Sequence, residues 1–400
     1  MSKKRNRTNT QAIRKGSIRS QYHEHSEAIF LTSSFIYPDS ATGAKLFEKS
    51  LPYTYSRYDN PNNTMLEERI ASLESDKKNI RAISFSSGLA AHLALLITFL
   101  QSGDEMISAT DIFGATHRLY DFWFRKFNIN TKFILGSKTE SIKQSLTSKT
   151  KIVYLESPSN PLNTIIDIRA IAEIIKTHNQ NSPKKVLLVV DNTFSTSINQ
   201  KPIDLGADLV TYSATKLMDG QGRVLGGAVV GKQEDIDEMR SFLRSGGLSL
   251  SPFNAWVIYK SLETLKIRVD KQTEQAEKIA NFLEHHPKVQ QVYYPFLKSH
   301  PQYQLAKKQM NNGGVIISFK INANQKNTWK VIDKLKIFSR TSNMGDTRST
   351  VTHPYTTTHG KLAEKDKEKI GISKNLIRLS IGLEDLEDLL EDLDQSLSFL

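Results

Sequence analysis

KVLLVVDNTFSTSINQKPIDLGADLVTYSATK, residues 185–216, contains two short apolar runs, and what each delivers at its end decides how the chain is read. "KVLLVV" is apolar without alternation, the pattern of a strand buried on both faces. It ends in Asp191. "ADLVTYS" (207–213) reads as the next strand and runs into Ser213, Thr215 and Lys216, with Gly220, Gly222 and Gly226 just beyond. In open parallel sheets ligands gather at the carboxyl ends of strands. An acid and a lysine 25 residues apart, each at such an end, therefore mark candidate chemistry rather than surface decoration.

The same grammar extends in both directions. "NIRAISF" (79–85), "DEMISA" (104–109), "TKFIL" (131–135) and "KIVYLES" (151–157) read as strands, and "AAHLALLITFL" and "DIRAIAEIIKTH" between them carry helical periodicity. Strands alternating with helices indicate βαβ units and a mostly parallel, helix-covered sheet, an α/β fold. After about residue 250 the style changes. "SPFNAWVIYKSLETLKIRVDKQTEQAEKIANFLEHH" reads as one long helix, followed by strands near 289–294, 313–321 and 375–382 and a helix near 327–335. A closing helix sets Leu386, Leu389, Leu390, Leu393, Leu397 and Leu400 on one face. "TTTHGKLAEKDKEK" reads as a mobile polar loop. The expected organisation is an N-terminal basic tail and arm over 1–60, a large domain over 61–250 and a smaller α+β domain over 251–400.

Composition narrows the function. The 400 residues are 38% hydrophobic and 24% charged. No apolar run reaches the roughly 18–20 residues of a membrane helix, and no signal sequence is apparent, so the expected location is cytoplasmic and no membrane partner is expected. Zero cysteines exclude disulfides, thiolate catalysis and cysteine-bound metal. The net charge of +12 is uneven: Lys3, Lys4, Arg5, Arg7, Arg14, Lys15 and Arg19 precede the first acid, Glu24, while seven acids crowd residues 384–394. Such a basic run is more often a solvated tail, or packs on a neighbouring subunit, than it binds nucleic acid. No nucleic-acid partner is expected. The histidines lack the i, i+4 spacing of a helical zinc site, and no metal is expected.

A third feature joins the lysine and the acid. In "FSSGLAAHLALL" (85–96), Ser86, Ser87 and Gly88 lie where a strand turns into a helix, so free N–H groups and the helix dipole suit a phosphate. No Walker lysine follows, and the "GQGRVLGG" glycines are misspaced for a dinucleotide fingerprint. An acid for a ring nitrogen, a helix terminus for a phosphate and a lysine for an imine together are the equipment for pyridoxal 5′-phosphate (PLP).

"YSRYDNP" (55–61), "SSGLAA" (86–91), "ESPSNP" (156–161), "VVDNTF" (189–194) and "SATK" (213–216) resemble the Cys/Met-metabolism family of PLP enzymes. "SPFNAW" (251–256), "LETLKIR" (262–268) and "LIRLSIGLED" (376–385) extend the resemblance nearly to the C-terminus, and "NMGDTRSTVTHPYTTTHG" (343–360) is similar to its O-succinylhomoserine sulfhydrylase branch. The resemblance implies the large-domain, small-domain aminotransferase-type fold. It makes Lys216 the lysine bonded to the cofactor and the catalytic base, and Asp191 the partner of the pyridinium nitrogen. It assigns the phosphate to Gly88, Leu89, Ser213 and Thr215, and stacking on the ring to Phe113, where much of the family has tyrosine. Tyr55 and Arg57 would reach the neighbouring subunit's cofactor, with Tyr55 sharing acid–base work, which implies a homotetramer built from dimers. Arg378 and Asn343 would bind substrate. The implied reaction is γ-replacement on O-succinylhomoserine by sulfide; cystathionine γ-synthase, O-acetylhomoserine sulfhydrylase and γ-lyase activities are the alternatives. Arg118, Arg348 and Lys361 are positional candidates for the succinyl carboxylate. "NPNN" at 60–63, in place of Asn-Pro-Thr, predicts only a local change in helix capping.

Overall fold

The computed structural model describes residues 6–182 and 184–400; Lys3, Lys4 and Arg5 of the basic arm lie outside the described residues. The strands are β1 (Ile80–Phe85), β2 (Glu105–Ala109), β3 (Asn130–Ile134), β4 (Thr150–Glu156), β5 (Leu187–Asp191), β6 (Leu209–Tyr212), β7 (Gly227–Lys232), β8 (Val289–Tyr293), β9 (Ile316–Ile321), β10 (Ser339–Arg340), β11 (Thr350–Thr352) and β12 (Leu376–Ser380). All six strands expected between residues 79 and 213 are present: β5 and β6 are buried throughout, β1, β2 and β4 at every position but one, and β3 is exposed or half-buried along its length. Residues group into two compact units, one comprising 1–99, 209–219 and 223–266, the other 100–208, 220–222 and 267–400.

In the first unit β7 lies between β1 and β6 and runs antiparallel to both. β7 is absent from the sequence reading because "GAVVGK" follows a glycine-rich loop and reads as its continuation. At the "NPNN" stretch the helix Pro61–Glu74 begins: Asn60 caps it by accepting from the Asn62 N–H at 2.9 Å, and Pro61 fills the first turn. The asparagines of "NPNN" do more than cap. Asn62 accepts from the Phe30 N–H and donates to the Ala28 carbonyl, and Asn63 donates to the Leu250 carbonyl.

Two expectations for this unit are corrected. The basic segment is not a solvated tail over residues 8–17: the helix Thr8–Arg14 buries Gln11 and Ala12, and the fully buried Arg69 guanidinium collects the carbonyls of Ile13 and Lys15. The long helix from 252 is two, Pro252–Leu262 and Leu265–His285. Arg69 explains the break. Its Nη1 takes the Tyr259 carbonyl at 3.0 Å, while the Glu263 N–H turns to Lys260 in a tighter i−3 bond.

In the second unit β5, β4, β2 and β3 are neighbours in that order and wholly parallel. The helix Ile168–Gln180, capped by Asp167 accepting from the Ala170 N–H, accompanies them. A smaller sheet in the order β10-β11-β12-β9-β8 is antiparallel except for β10–β11. Its core includes Leu389, Leu393 and Leu397 of the closing helix Leu386–Leu397, with Leu386, Leu390 and Leu400 packed against it, the face expected from their spacing. The polar loop after 355 is also corrected. It contains the helix Glu364–Lys369; His359 is buried, and the buried Lys367 donates to the Gly360 carbonyl. Among the described residues no helix is long and apolar enough to cross a membrane.

Candidate active site

In the first unit three backbone segments converge. β1 turns into the 12-residue helix Gly88–Phe99, whose first N–H groups have no intrahelical acceptor. Ser87 caps the turn, its hydroxyl accepting from the Ala90 N–H at 3.1 Å. The end of β6 and the start of β7 approach so closely that side chains are excluded. A β-carbon on Gly88 would lie 2.9 Å from Cβ of Ser213, and one on Gly227 would lie 2.1 Å from the Ser87 carbonyl oxygen. The result is a helix N-terminus at the buried Gly88 and the exposed Leu89, close to Ser213, with the partial positive charge an anion needs.

Lys216 follows β6 in a tight turn, its N–H bonded to the Ser213 carbonyl at 3.1 Å, and its side chain is half-buried. The loop beyond is clamped twice. Thr215 donates its hydroxyl to the Gly226 carbonyl at 3.1 Å and accepts from the Gly226 N–H at 3.0 Å. Arg223 grips the buried Asp219 carboxylate through Nε and Nη2 at 3.0 and 2.8 Å. The glycine-rich loop is thus closed on itself, and it fixes where Lys216 emerges. Tyr55 is exposed, and Arg57 stacks 5.5 Å from its ring and 4.6 Å from that of Tyr58 while donating to the Arg244 carbonyl.

The second unit holds the acids. Asp191 ends β5 with 9% exposure and accepts from the Thr193 N–H at 2.9 Å and the Tyr154 hydroxyl at 3.3 Å. Burial, then the Asp191 charge, pushes the Tyr154 phenol well above its ordinary value, so it stays a donor. Glu156, at the end of β4, is paired in register with Asp191 and accepts from the Phe113 N–H at 2.9 Å. The Phe113 ring remains exposed.

Arg378 on β12 is 3% exposed, donating to Asn160 Oδ1 at 2.9 Å and to the Ser342 carbonyl at 3.3 Å. Burial pulls it down to about 10, which leaves it charged at neutral pH. His359 is also buried; burial first and the Arg378 charge second hold it at about 3, so it is neutral. The Asn343 N–H bonds to Thr341 Oγ1, and its carbonyl accepts from the Thr350 hydroxyl. Arg118, Arg348 and Lys361 are exposed, and Arg118 covers the Phe122 ring at 4.9 Å. Glu156, Tyr154, Asn160 and His359 were given no role from sequence. "ESPSNP" was visible as a motif, and Glu156 satisfies the same strand-end criterion that singled out Asp191.

The first unit fits a phosphate and an amine-linked aldehyde, and the second fits a protonated ring nitrogen and a carboxylate. These are the requirements of a PLP enzyme of the aminotransferase-type fold. The family model for Cys/Met metabolism PLP-dependent enzymes matches residues 9–398. The O-succinylhomoserine sulfhydrylase of Pseudomonas aeruginosa is 42% identical over 98% of this chain and 95% of its own. The L-methionine gamma-lyase of Fusobacterium nucleatum subsp. nucleatum is 37% identical over 99% of each chain. A solved Campylobacter jejuni structure, 30% identical with a TM-score of 0.93 over 98% of this chain and 100% of its own, carries a pyridoxyl-lysine monophosphate. The chain belongs to the Cys/Met-metabolism family of PLP-dependent enzymes.

Proposed function

We propose that this enzyme converts O-succinyl-L-homoserine and sulfide to L-homocysteine and succinate. The observation that carries the reading is the whole-length similarity to O-succinylhomoserine sulfhydrylase. The position of Phe113 supports it, since a phenyl group there stacks without offering a competing phenolic proton.

Bound PLP supplies the electron sink that makes substrate C–H bonds acidic. The chain's residues do the rest. Lys216 would hold the cofactor through its amine, and that amine, when free, would move protons at the substrate Cα. Asp191 would hold the ring nitrogen in its protonated form, and Phe113 would support the ring. The amides of Gly88 and Leu89, with Ser213 and Thr215, would hold the phosphate. Arg378, stiffened by Asn160 and Ser342, takes the substrate α-carboxylate as a planar fork, and Asn343 lines the same side. Succinate would leave from Cγ first, and sulfide would then add at that carbon, with the protons taken from Cα and Cβ returned to them.

The active assembly is a homotetramer of dimers, in which Tyr55 and Arg57 serve the neighbouring subunit's cofactor. The exposure of Leu31, Ile36, Phe47 and Tyr55 in the first unit supports that arrangement.

The test is a competition. O-succinylhomoserine is offered with sulfide and cysteine together, then O-acetylhomoserine in its place, and products are identified by mass spectrometry. Homocysteine mainly from the succinyl ester is the expected result. Mainly cystathionine assigns the γ-synthase activity instead, and 2-oxobutanoate with ammonia, independent of added thiol, assigns a γ-lyase.

A further inference from the structure

Three acids stand at the carboxyl ends of neighbouring parallel strands in the second unit. Asp191 ends β5, Glu156 ends β4, and Asp111 lies two residues beyond β2; all three are buried. Asp191 and Glu156 are register partners, so their side chains leave the same face of adjacent strands. Two carboxyl groups so placed, out of water, do not both ionise; one keeps a proton. Burial and the kind of donor decide which. Asp191, 9% exposed, accepts the Thr193 N–H and the Tyr154 hydroxyl, whereas Glu156, 5% exposed, is met by the backbone of Phe113, at 2.9 Å, and of Asn160.

We propose that Glu156 is a positioning residue that keeps its proton at neutral pH, leaving the charge of the pair on Asp191 while its carboxyl oxygen anchors the backbone of Phe113. The assignment rests on Asp191 and Phe113 being cofactor contacts. One buried side chain then serves both the ring's electrostatic partner and its stacking partner.

The surrounding groups agree. Burial first, and the Asp191 charge second, push the Glu156 carboxyl well above the usual carboxylate range, with Asp111 acting in the same direction. Asp111 is itself pushed up to about 6 by burial, against hydrogen bonds that include Ser159 and Thr164. The phenols of Tyr120 and Tyr154, whose rings meet edge to face at 5.1 Å, are both pushed well above their ordinary value by burial and stay neutral. Arg378 is the cation that would favour an ionised Glu156, and its guanidinium donates instead to Asn160 and the Ser342 carbonyl.

The test uses the holoenzyme and E156Q, E156L and D191N, with three readouts: infrared difference spectra, the pH midpoint of the cofactor's visible absorption, and the PLP dissociation constant. Gln keeps an acceptor for the Phe113 N–H and mimics a neutral acid; Leu provides neither. The wild type should show a protonated-carboxyl carbonyl band that E156Q lacks. The absorption midpoint of E156Q should stay within about 0.3 pH units of wild type. E156L should bind PLP roughly tenfold more weakly, with E156Q restoring affinity. Loss of only carboxylate bands in E156Q, or a downward midpoint shift of about one unit, overturns the proposal, because either shows that a negative charge was removed. D191N separates the underlying reading: unchanged absorption and PLP affinity there would overturn the cofactor role of Asp191, whatever the infrared bands of Glu156 show.

Discussion

Gly88 and Ser213 approach so closely that a β-carbon at 88 would stand 2.9 Å from that of Ser213 and 3.1 Å from its α-carbon. The neighbours in that contact are a strand end and the first turn of a helix, and neither swings aside as the tip of a flexible side chain does. G88A should therefore strain the cradle by about 1–3 kcal/mol. If that strain falls on the phosphate site, PLP affinity drops roughly tenfold or more. Fluorescence titration of the apoenzyme measures this, and an unchanged dissociation constant would show that the helix terminus does not hold the phosphate.

Lys216 emerges from a loop closed by Thr215–Gly226 and Arg223–Asp219 contacts, so its replacement should leave the loop standing. K216A is expected to lose the absorption of the lysine-linked cofactor while still binding PLP noncovalently. Turnover should fall roughly 10²–10⁴-fold, the scale of a lost proton-transfer group. Spectra and steady-state rates on the same preparation check both halves, and full activity without the linked cofactor would remove Lys216 from the chemistry.

Much of this was legible in sequence because burial on both faces leaves an unbroken apolar run, as in β5, and the other strands expected through residue 213 stand out as shorter apolar segments between turns, down to the half-buried β3. The strand ends were legible for the same reason: Asp191 and Lys216 stand out where such runs stop. What could not be read was set by contacts distant in the chain. Nothing near Tyr259 announces that Arg69, 190 residues earlier, will take its carbonyl and divide a long helix. β7 was hidden because Gly227 answers to the Ser87 backbone rather than to local strand preference. Glu156 was visible as a letter, but its meaning depends on register with Asp191 and on the Phe113 N–H. His359 reads as part of a polar loop, and only packing makes it a buried, neutral neighbour of Arg378.

Arg378 spends one guanidinium nitrogen on Asn160 and another on the Ser342 carbonyl, which fixes the plane of its fork. R378K keeps the charge and loses that plane. The KM for the amino-acid substrate should rise roughly 10–100-fold with a smaller change in kcat, since a charged hydrogen bond is lost from binding. Melting temperature serves as the control for the buried site. A KM equal to wild type in a stable variant would place the α-carboxylate elsewhere.

Glu27 ties the N-terminal segment to the first unit: it accepts from the Ser17 hydroxyl at 2.8 Å and the Tyr259 hydroxyl at 3.2 Å, and pairs with Lys260 at 3.2 Å. Burial opposes its charge, but hydrogen bonds from Ser17, the backbone and Lys260, with the Lys260 charge, outweigh it and hold the carboxyl at about 2 against an ordinary 4.5. A folded-state value below the unfolded one means that the unfolded chain binds the extra proton. The contribution is therefore full above about pH 4.5 and is lost as pH falls towards about 2. E27Q should melt a few degrees below wild type at pH 7. The gap should narrow progressively below pH 4.5, as read by melting curves in matched buffers. A gap that stays constant through that window would show that the charge of Glu27 does not hold the segment in place, and would leave Arg69 and its collected carbonyls as the anchor.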